Sequence, residues 1–159
     1  MGGVQIGIKL AIPGSETLHI RQLVLDFTGT LSCDGILLPG VADLLHTLSR
    51  YVTITVLTAD TFGKAAGQLE SLPVTLQLIQ TGRDKAVFMS GLKKSETAAI
   101  GNGRNDVDMI RMAGLGIAVI GPEGCAGELI AAAAIVCQSI TAALELLLHP
   151  LRVKATLRD

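Results

Sequence analysis

The stretch Leu23-Val24-Leu25-Asp26-Phe27-Thr28-Gly29-Thr30-Leu31 decides the fold. Its three leading residues form an apolar run with the character of a strand buried on both faces, as in a parallel sheet. The run delivers the carboxylate of Asp26 to the strand's carboxyl end, and Gly29 lets the backbone turn sharply just beyond it. In an open α/β sheet that edge is where ligands bind. An ionised carboxylate is costly there unless a cation or hydrogen bonds compensate it. Asp26 therefore marks a candidate site.

Upstream of this strand, Val4, Ile6, Ile8 and Leu10 alternate with Gln5, Gly7 and Lys9, a half-buried strand pattern. Pro13-Gly14-Ser15 marks a turn and Thr17–Ile20 a returning strand, so residues 1–20 read as a β-hairpin. Downstream, residues 32–40 carry two turn signals around a short apolar stretch, like a small flap. Val41, Leu44, Leu45 and Leu48 then recur at helical spacing, and the β-branched run Val52–Thr58 reads as a strand. Helices are expected at 62–72, 85–92, 106–113, 124–132 and 142–148, with strands at 74–79, 97–100, 116–120 and 134–137. Pro150 then opens a C-terminal tail, 149–159. Regular strand–helix alternation predicts an α/β fold, a doubly wound parallel sheet preceded by the amino-terminal β-hairpin, in a single domain 1–159 with its core at 21–148.

Composition agrees with that class. The 159 residues are 49% hydrophobic but only 3% aromatic, so the core is built from Leu, Ile, Val and Ala. A net charge of −1 without a basic tract argues against nucleic acid or an anionic membrane as partner. The apolar run Leu129–Cys137 is about half the ~20 residues that a bilayer span needs. The start shows no basic leader with a long apolar segment. Cys33, Cys125 and Cys137 lack CxxC spacing and read as reduced thiols, and a cytoplasmic protein is expected.

Four features sit where strands end: Asp26 with Thr28 and Gly29, Thr58 with Ala59 and Asp60, Lys85 at a helix opening, and Gly101-Asn102-Gly103-Arg104-Asn105-Asp106. The strand ends of a parallel sheet converge on one edge, so these features can meet in space. They combine carboxylates, a hydroxyl, a cation and glycine-lined amides. Phosphoryl transfer uses that combination, with cations and N–H groups holding phosphate oxygens and carboxylates holding Mg²⁺.

Asp26–Thr30, read DFTGT, resembles the first motif of the haloacid dehalogenase superfamily, DxDG[TV]. Thr58 matches that superfamily's second-motif Ser/Thr, Lys85 its third-motif Lys, and Gly101–Met109 its fourth motif, GDGxNDxxM. The four motifs run in order from Leu23 to Ile120, and the fold expected is that superfamily's Rossmann-like core. Thr at position 28 resembles the DKTGT loop of P-type ion-pump ATPases. Without membrane helices or an inserted nucleotide-binding domain, the chain is similar to the small soluble P-type-ATPase-like members.

The resemblance implies that Asp26 is the nucleophile that becomes an aspartyl-phosphate. It implies that Gly29, Thr58, Ala59 and Lys85 bind phosphate, with Lys85 also holding Asp26 by charge. It further implies that Mg²⁺ is held by Asp26, the carbonyl of Thr28, Asn102 and Asp106, directly or through water.

Two departures bear on rate. In superfamily phosphatases the residue matching Thr28 is an Asp that serves as general acid and base, which is worth about 10²–10⁴ in rate. Asn102 stands where an Asp is usual, which removes one negative charge from the metal site. The expectation is a slow, Mg²⁺-dependent phosphohydrolase, the alternative a non-catalytic or regulatory module binding Mg²⁺ and a phosphorylated ligand. A scaffold or stabiliser of a larger assembly is the third reading.

Other patterns carry less. Asp34, Asp60 and Asp108 read as solvated, with Asp60 the best additional polar neighbour of the site. The glycines of Gly101–Asp106 lack the third Gly of a dinucleotide fingerprint, and His19, His46 and His149 are scattered. The gaps after Asp26 and after Thr58 are too short for a cap domain, so the site is expected to be open. An open site implies a large or poorly discriminated substrate unless a neighbouring subunit covers the mouth, and the partner expected is a small phosphorylated molecule or a phosphoprotein. A homo-oligomer, with a neighbouring copy covering the mouth, is an open expectation.

Overall fold

In the computed structural model, residues 4–159 are described. The chain opens with an antiparallel hairpin, β1 (Ile8–Leu10) and β2 (Leu18–Ile20), and passes directly into β3 (Gln22–Asp26). A second, very short hairpin follows, β4 (Ser32–Cys33) and β5 (Ile36–Leu37). Then come α1 (Val41–Leu48), β6 (Thr53–Thr58), α2 (Ala65–Leu69), β7 (Thr75–Leu78) and α3 (Gly82–Ser90). The remainder is β8 (Thr97–Gly101), a 3₁₀ turn at Arg104–Asp106, α4 (Val107–Met112), β9 (Leu115–Val119), α5 (Gly127–Ala132), β10 (Ile135–Cys137), α6 (Ile140–Leu148) and α7 (Pro150–Leu157).

Six strands form one parallel sheet in the order β10-β9-β8-β3-β6-β7. This is the predicted doubly wound α/β fold. Alternating side chains of β3 explain its two covered faces. Leu23 and Leu25 join a core with Ile54 and Val56 of β6, Ile117 and Val119 of β9, and the inner faces of α1, α6 and α7. Val24 points the other way, into a core with Met89 of α3, Met109 and Ile110 of α4, and Leu129 of α5. The chain steps from β3 outward to β6 and β7, then returns to the opposite side of β3 with β8. The sheet thus reverses its winding direction between β3 and β8. That switch point opens the crevice in which α/β proteins bind ligands.

Four sequence expectations change in detail. The alternating segment 4–10 yields a strand only at Ile8–Leu10. Gly7 breaks it with φ +73°, donating its N–H to the Tyr51 carbonyl at 3.0 Å. Val4 and Ile6 consequently face solvent, 97% and 78% exposed. Between them Gln5 is anchored inward, donating Nε2–H to the carbonyls of Ser49 and Val52 and accepting from Thr53. Residues 1–3 of the expected hairpin lie outside the described residues.

The helix expected at 62–72 shrinks to Ala65–Leu69. The Asp60 carboxylate accepts the N–H groups of Lys64 and Ala65 (2.9 and 3.0 Å), and residues 60 and 63 adopt positive φ, so residues 60–64 form a capping loop. Similarly, the helix expected at 124–132 starts at Gly127, because Gly124 takes φ +83° in a turn closed onto Gly121. The C-terminal tail is a helix, α7, with Pro150 in its first turn, where a missing N–H costs nothing, and Val153 fully buried. Among the described residues no helix is long and apolar enough to cross a membrane.

Candidate active site

Asp26 ends β3, and its side chain is nearly enclosed at 6% exposure. Lys85 reaches it from α3. The capping box of Thr81 and Asp84 fixes that helix's first turn, with Asp84 accepting the N–H groups of Gln80 and Thr81 at 2.9 Å each. Those two bonds also hold the Asp84 carboxyl below its ordinary range. The Lys85 ammonium, fully buried, donates to Asp26 Oδ1 at 2.8 Å and to Asp106 Oδ1 at 2.5 Å.

Asp106 is locked in turn by its second oxygen, which accepts the N–H groups of Asn102 (3.1 Å) and Gly103 (3.0 Å). This packing explains Gly101, where a Cβ would stand 2.5 Å from Asp106 Oδ2. Gly29 is required for two reasons: its φ is +77°, and a Cβ there would collide with the Asn102 amide.

The Asn102 amide has a defined orientation. Its Nδ2 donates to the carbonyl of Gly124 at 3.1 Å, which turns Oδ1 toward the Thr30 hydroxyl, also at 3.1 Å. Thr30 is fully buried and donates to Asp26 Oδ2 at 2.9 Å. Thr58, at the end of β6, is 1% exposed and accepts the Asp60 N–H at 2.9 Å. The Thr28 hydroxyl, two residues from the Asp26 carboxylate, is buried without a hydrogen-bond partner.

The fold therefore brings Asp26, Lys85, Asn102 and Asp106 into one bonded cluster and sets Thr28, Gly29 and Thr58 around it. Ala59 follows Thr58 on the exposed side. Thr30 was missing from the sequence reading. Its signal was available in the spacing, four residues after Asp26 on a tight turn, but a small hydroxyl in a glycine loop has many structural uses. Asp60 proves to be a helix cap and a partner of Thr58.

Electrostatics mark the cluster as incomplete. Two carboxylates share one ammonium, leaving a net charge of −1 when all three are ionised. Burial and then the Asp106 charge push the Asp26 carboxyl up to about 7, against the opposing pull of Lys85 and Thr30. For Lys85, burial alone would lower the pKa, but the two carboxylates outweigh it and the ammonium is held charged. A second cation would relieve the excess. The oxygens of Asp26, Asp106 and Asn102 are hard donors of the kind Mg²⁺ accepts, and one or two carboxylates are its usual protein share. The residues present fit that ion.

The rim is made of three loops. The tip of the β4–β5 hairpin packs on the loop after Thr58, where a Cβ on Gly35 would come 2.8 Å from Phe62. Its Asp34 N–H donates to Glu123 of the loop after β9 at 3.0 Å. Cys33, Asp34 and Glu123 present ligand atoms within 4.8 Å of one another at this exposed rim. Desolvation and the two carboxylates push the Cys33 thiol up, away from the reactive thiolate. Between β3 and α1 lies only this hairpin, and between β6 and α3 only α2 and β7, so no cap domain is inserted in either gap.

A family profile described as haloacid dehalogenase-like hydrolase matches residues 58–141. The chain belongs to the haloacid dehalogenase-like hydrolases. An uncharacterized protein of Methanocaldococcus jannaschii is 51% identical over 79 residues, covering 47% of this chain and 85% of that protein. Among solved structures, the 3-deoxy-D-manno-octulosonate 8-phosphate phosphatase of Moraxella catarrhalis, in complex with magnesium ion, phosphate ion and the sugar acid, has a TM-score of 0.70 at 19% identity, covering 86% of this chain and 90% of that one. The cobalt-bound Haemophilus influenzae enzyme of the same name gives 0.69 at 15% identity, covering 86% and 91%. An apo phosphoserine phosphatase gives 0.65 at 15%, covering 82% and 98%. These likenesses establish that this hydrolase shares their fold.

Proposed function

We propose that this haloacid dehalogenase-like hydrolase is a Mg²⁺-dependent phosphatase that works through a phosphorylated Asp26. The observation that carries the reading is the buried ammonium of Lys85 held between Asp26 and Asp106 at the sheet's switch point. A carboxylate so placed is costly unless the site uses it.

In the proposed first step an Asp26 carboxylate oxygen attacks phosphorus and the bond from phosphorus to the leaving oxygen breaks. Lys85 and the Thr58 hydroxyl stabilise the charge on the phosphoryl oxygens, and the loop at Gly29 and Ala59 lets the phosphoryl group approach the backbone. Mg²⁺, when bound through Asp26, the Thr28 carbonyl, Asn102 and Asp106, supplies charge neutralisation and alignment. In the second step water attacks the phosphorus, releasing inorganic phosphate and regenerating the carboxylate, and the water's proton passes to solvent.

Thr28 cannot exchange a proton near neutral pH. The leaving group then departs without a general acid, and the attacking water lacks a base. Both steps are slow, the second most of all, because water is a poor nucleophile. Good leaving groups such as acyl phosphates or aryl phosphates are the favoured substrates. The threonine matches the phosphorylation loop of P-type ion pumps, which supports reading this hydrolase as similar to the small soluble P-type-ATPase-like members. The same residue, with its unpaired hydroxyl, also favours a second reading as a regulatory module that holds Mg²⁺ and a phosphorylated ligand without turnover.

Incubation with Mg²⁺ and a panel of phosphate esters, beside Asp26→Asn, decides between them. Phosphate release by the wild type alone is expected. Equal release by both proteins would remove Asp26 from the chemistry, and none by either would favour the binding module.

A further inference from the structure

We propose that Thr30 is a positioning residue that holds Asp26 Oδ2 and Asn102 Oδ1 converged, and so sets up both the nucleophile and the metal-facing amide. The inference rests on the phosphatase reading for its kinetic consequence but on geometry for its content.

A threonine hydroxyl carries one proton. Around the Thr30 oxygen stand two acceptors, Asp26 Oδ2 at 2.9 Å and Asn102 Oδ1 at 3.1 Å. The Gly124 carbonyl fixes which end of the Asn102 amide faces Thr30, because it takes the Nδ2–H. Flipping the amide would set its oxygen against that carbonyl. Thr30 itself cannot swing away. It is fully buried, and its N–H and those of Leu31 and Ser32 all converge on the Phe27 carbonyl at 3.0–3.2 Å.

The one proton lies between the two acceptors in a shared bond, with the charged carboxylate as the stronger partner and the Asn102 oxygen as the weaker one. Asp26 is thereby pinned at both oxygens, Oδ1 by Lys85 and Oδ2 by Thr30, and its carboxylate plane is fixed. Asn102 at this position supports the arrangement. An Asp there would compete for the same proton with equal charge. Thr30 and Asn102 therefore work as a pair, which gives the missing carboxylate at 102 a structural counterpart.

The test uses Thr30→Val, which keeps the side-chain shape and is the alternative that the superfamily motif allows, and Thr30→Ser, which keeps the hydroxyl. Two readouts are taken: Mg²⁺ affinity by titration calorimetry, which needs no turnover, and kcat and KM for p-nitrophenyl phosphate. Losing an outer partner of ligands and nucleophile should weaken Mg²⁺ binding and kcat by about tenfold or more, leaving KM within about threefold. Thr30→Ser should recover both.

Unchanged Mg²⁺ affinity in the valine variant overturns the inference, as does a serine variant as impaired as valine. Absence of Mg²⁺ binding by the wild type overturns it as well. If valine does not fold, Thr30→Ala against Thr30→Ser gives the same decision. A wild type that binds Mg²⁺ but takes no phosphoryl group defeats the phosphatase reading alone, and the affinity ratio still decides the role of Thr30.

Discussion

Lys85 and Arg104 each meet a carboxylate at the same edge of the sheet, yet the two contacts differ in kind. Lys85 is sealed between Asp26 and Asp106, with no exposure on its side chain. Arg104, two residues before Asp106, reaches Glu128 at 3.2 Å with 80% and 62% of the two side chains exposed. In water an ion pair costs as much ordering as it returns, and salt screens it. Out of water each charge depends on its partners, and removing one leaves the others stranded. The contrast separates charges locked together out of water from charges that merely rest at the surface.

The largest test of that contrast is Lys85→Met. It leaves two buried carboxylates facing each other and should destabilise the metal-free protein by about 3–5 kcal/mol at pH 8. Denaturant unfolding measures it, and a loss under about 1 kcal/mol would place the ammonium in water after all. Next in size is Thr28→Asp, which adds a carboxyl where a hydroxyl has no partner. On the phosphatase reading it should raise kcat toward alkyl phosphates by about 10–100-fold, part of the range of general acid–base catalysis. A flat response would move the rate limit away from proton transfer.

A pH comparison sharpens the buried side further. The native Asp26 pKa, pushed up to about 7 from 3.8, means that folding favours its protonated form. The contribution of Asp26 to stability is therefore greatest below about pH 4 and declines as pH rises from about 4 through 7, because the unfolded chain releases that proton first. Asp26→Asn has no such proton to lose. Its unfolding temperature relative to the wild type should rise between pH 5 and pH 8 in metal-free buffer, by about 3 °C or more. A constant difference across that range would show that Asp26 titrates normally.

The smallest effect belongs to the exposed pair. Arg104→Ala should change stability by less than about 0.5 kcal/mol, and raising the salt should erase even that. A loss above 1 kcal/mol in low and high salt alike would give Arg104 a structural role that its exposure argues against.

Much of this was legible in the sequence because it depends on local pattern. Leu23–Leu25 announced a doubly covered strand, and Asp26, Lys85 and Asp106 stood where strands end and helices begin. Their meeting follows from parallel topology alone. What escaped was set by tertiary context. The alternation of Val4 and Ile6 promised burial, but Gly7 turned the chain, and Gln5 found the inward hydrogen bonds instead. Residues 149–159 read as a tail after the helix at 142–148 because Pro150 interrupts a helix, whereas here it begins one that buries Val153. Thr30 was hidden for a related reason. Its role requires the orientation of Asn102, which the distant Gly124 carbonyl dictates.

The central claim is that the Asp26 carboxylate takes a phosphoryl group. Intact-mass measurement after acid quench reads it directly, with wild type and Asp26→Asn each incubated with Mg²⁺ and acetyl phosphate. Because Thr28 offers no base for the water that would clear the adduct, the wild type should carry the mass of one added phosphoryl group and the variant none. An adduct on both proteins, or on neither, would contradict the account.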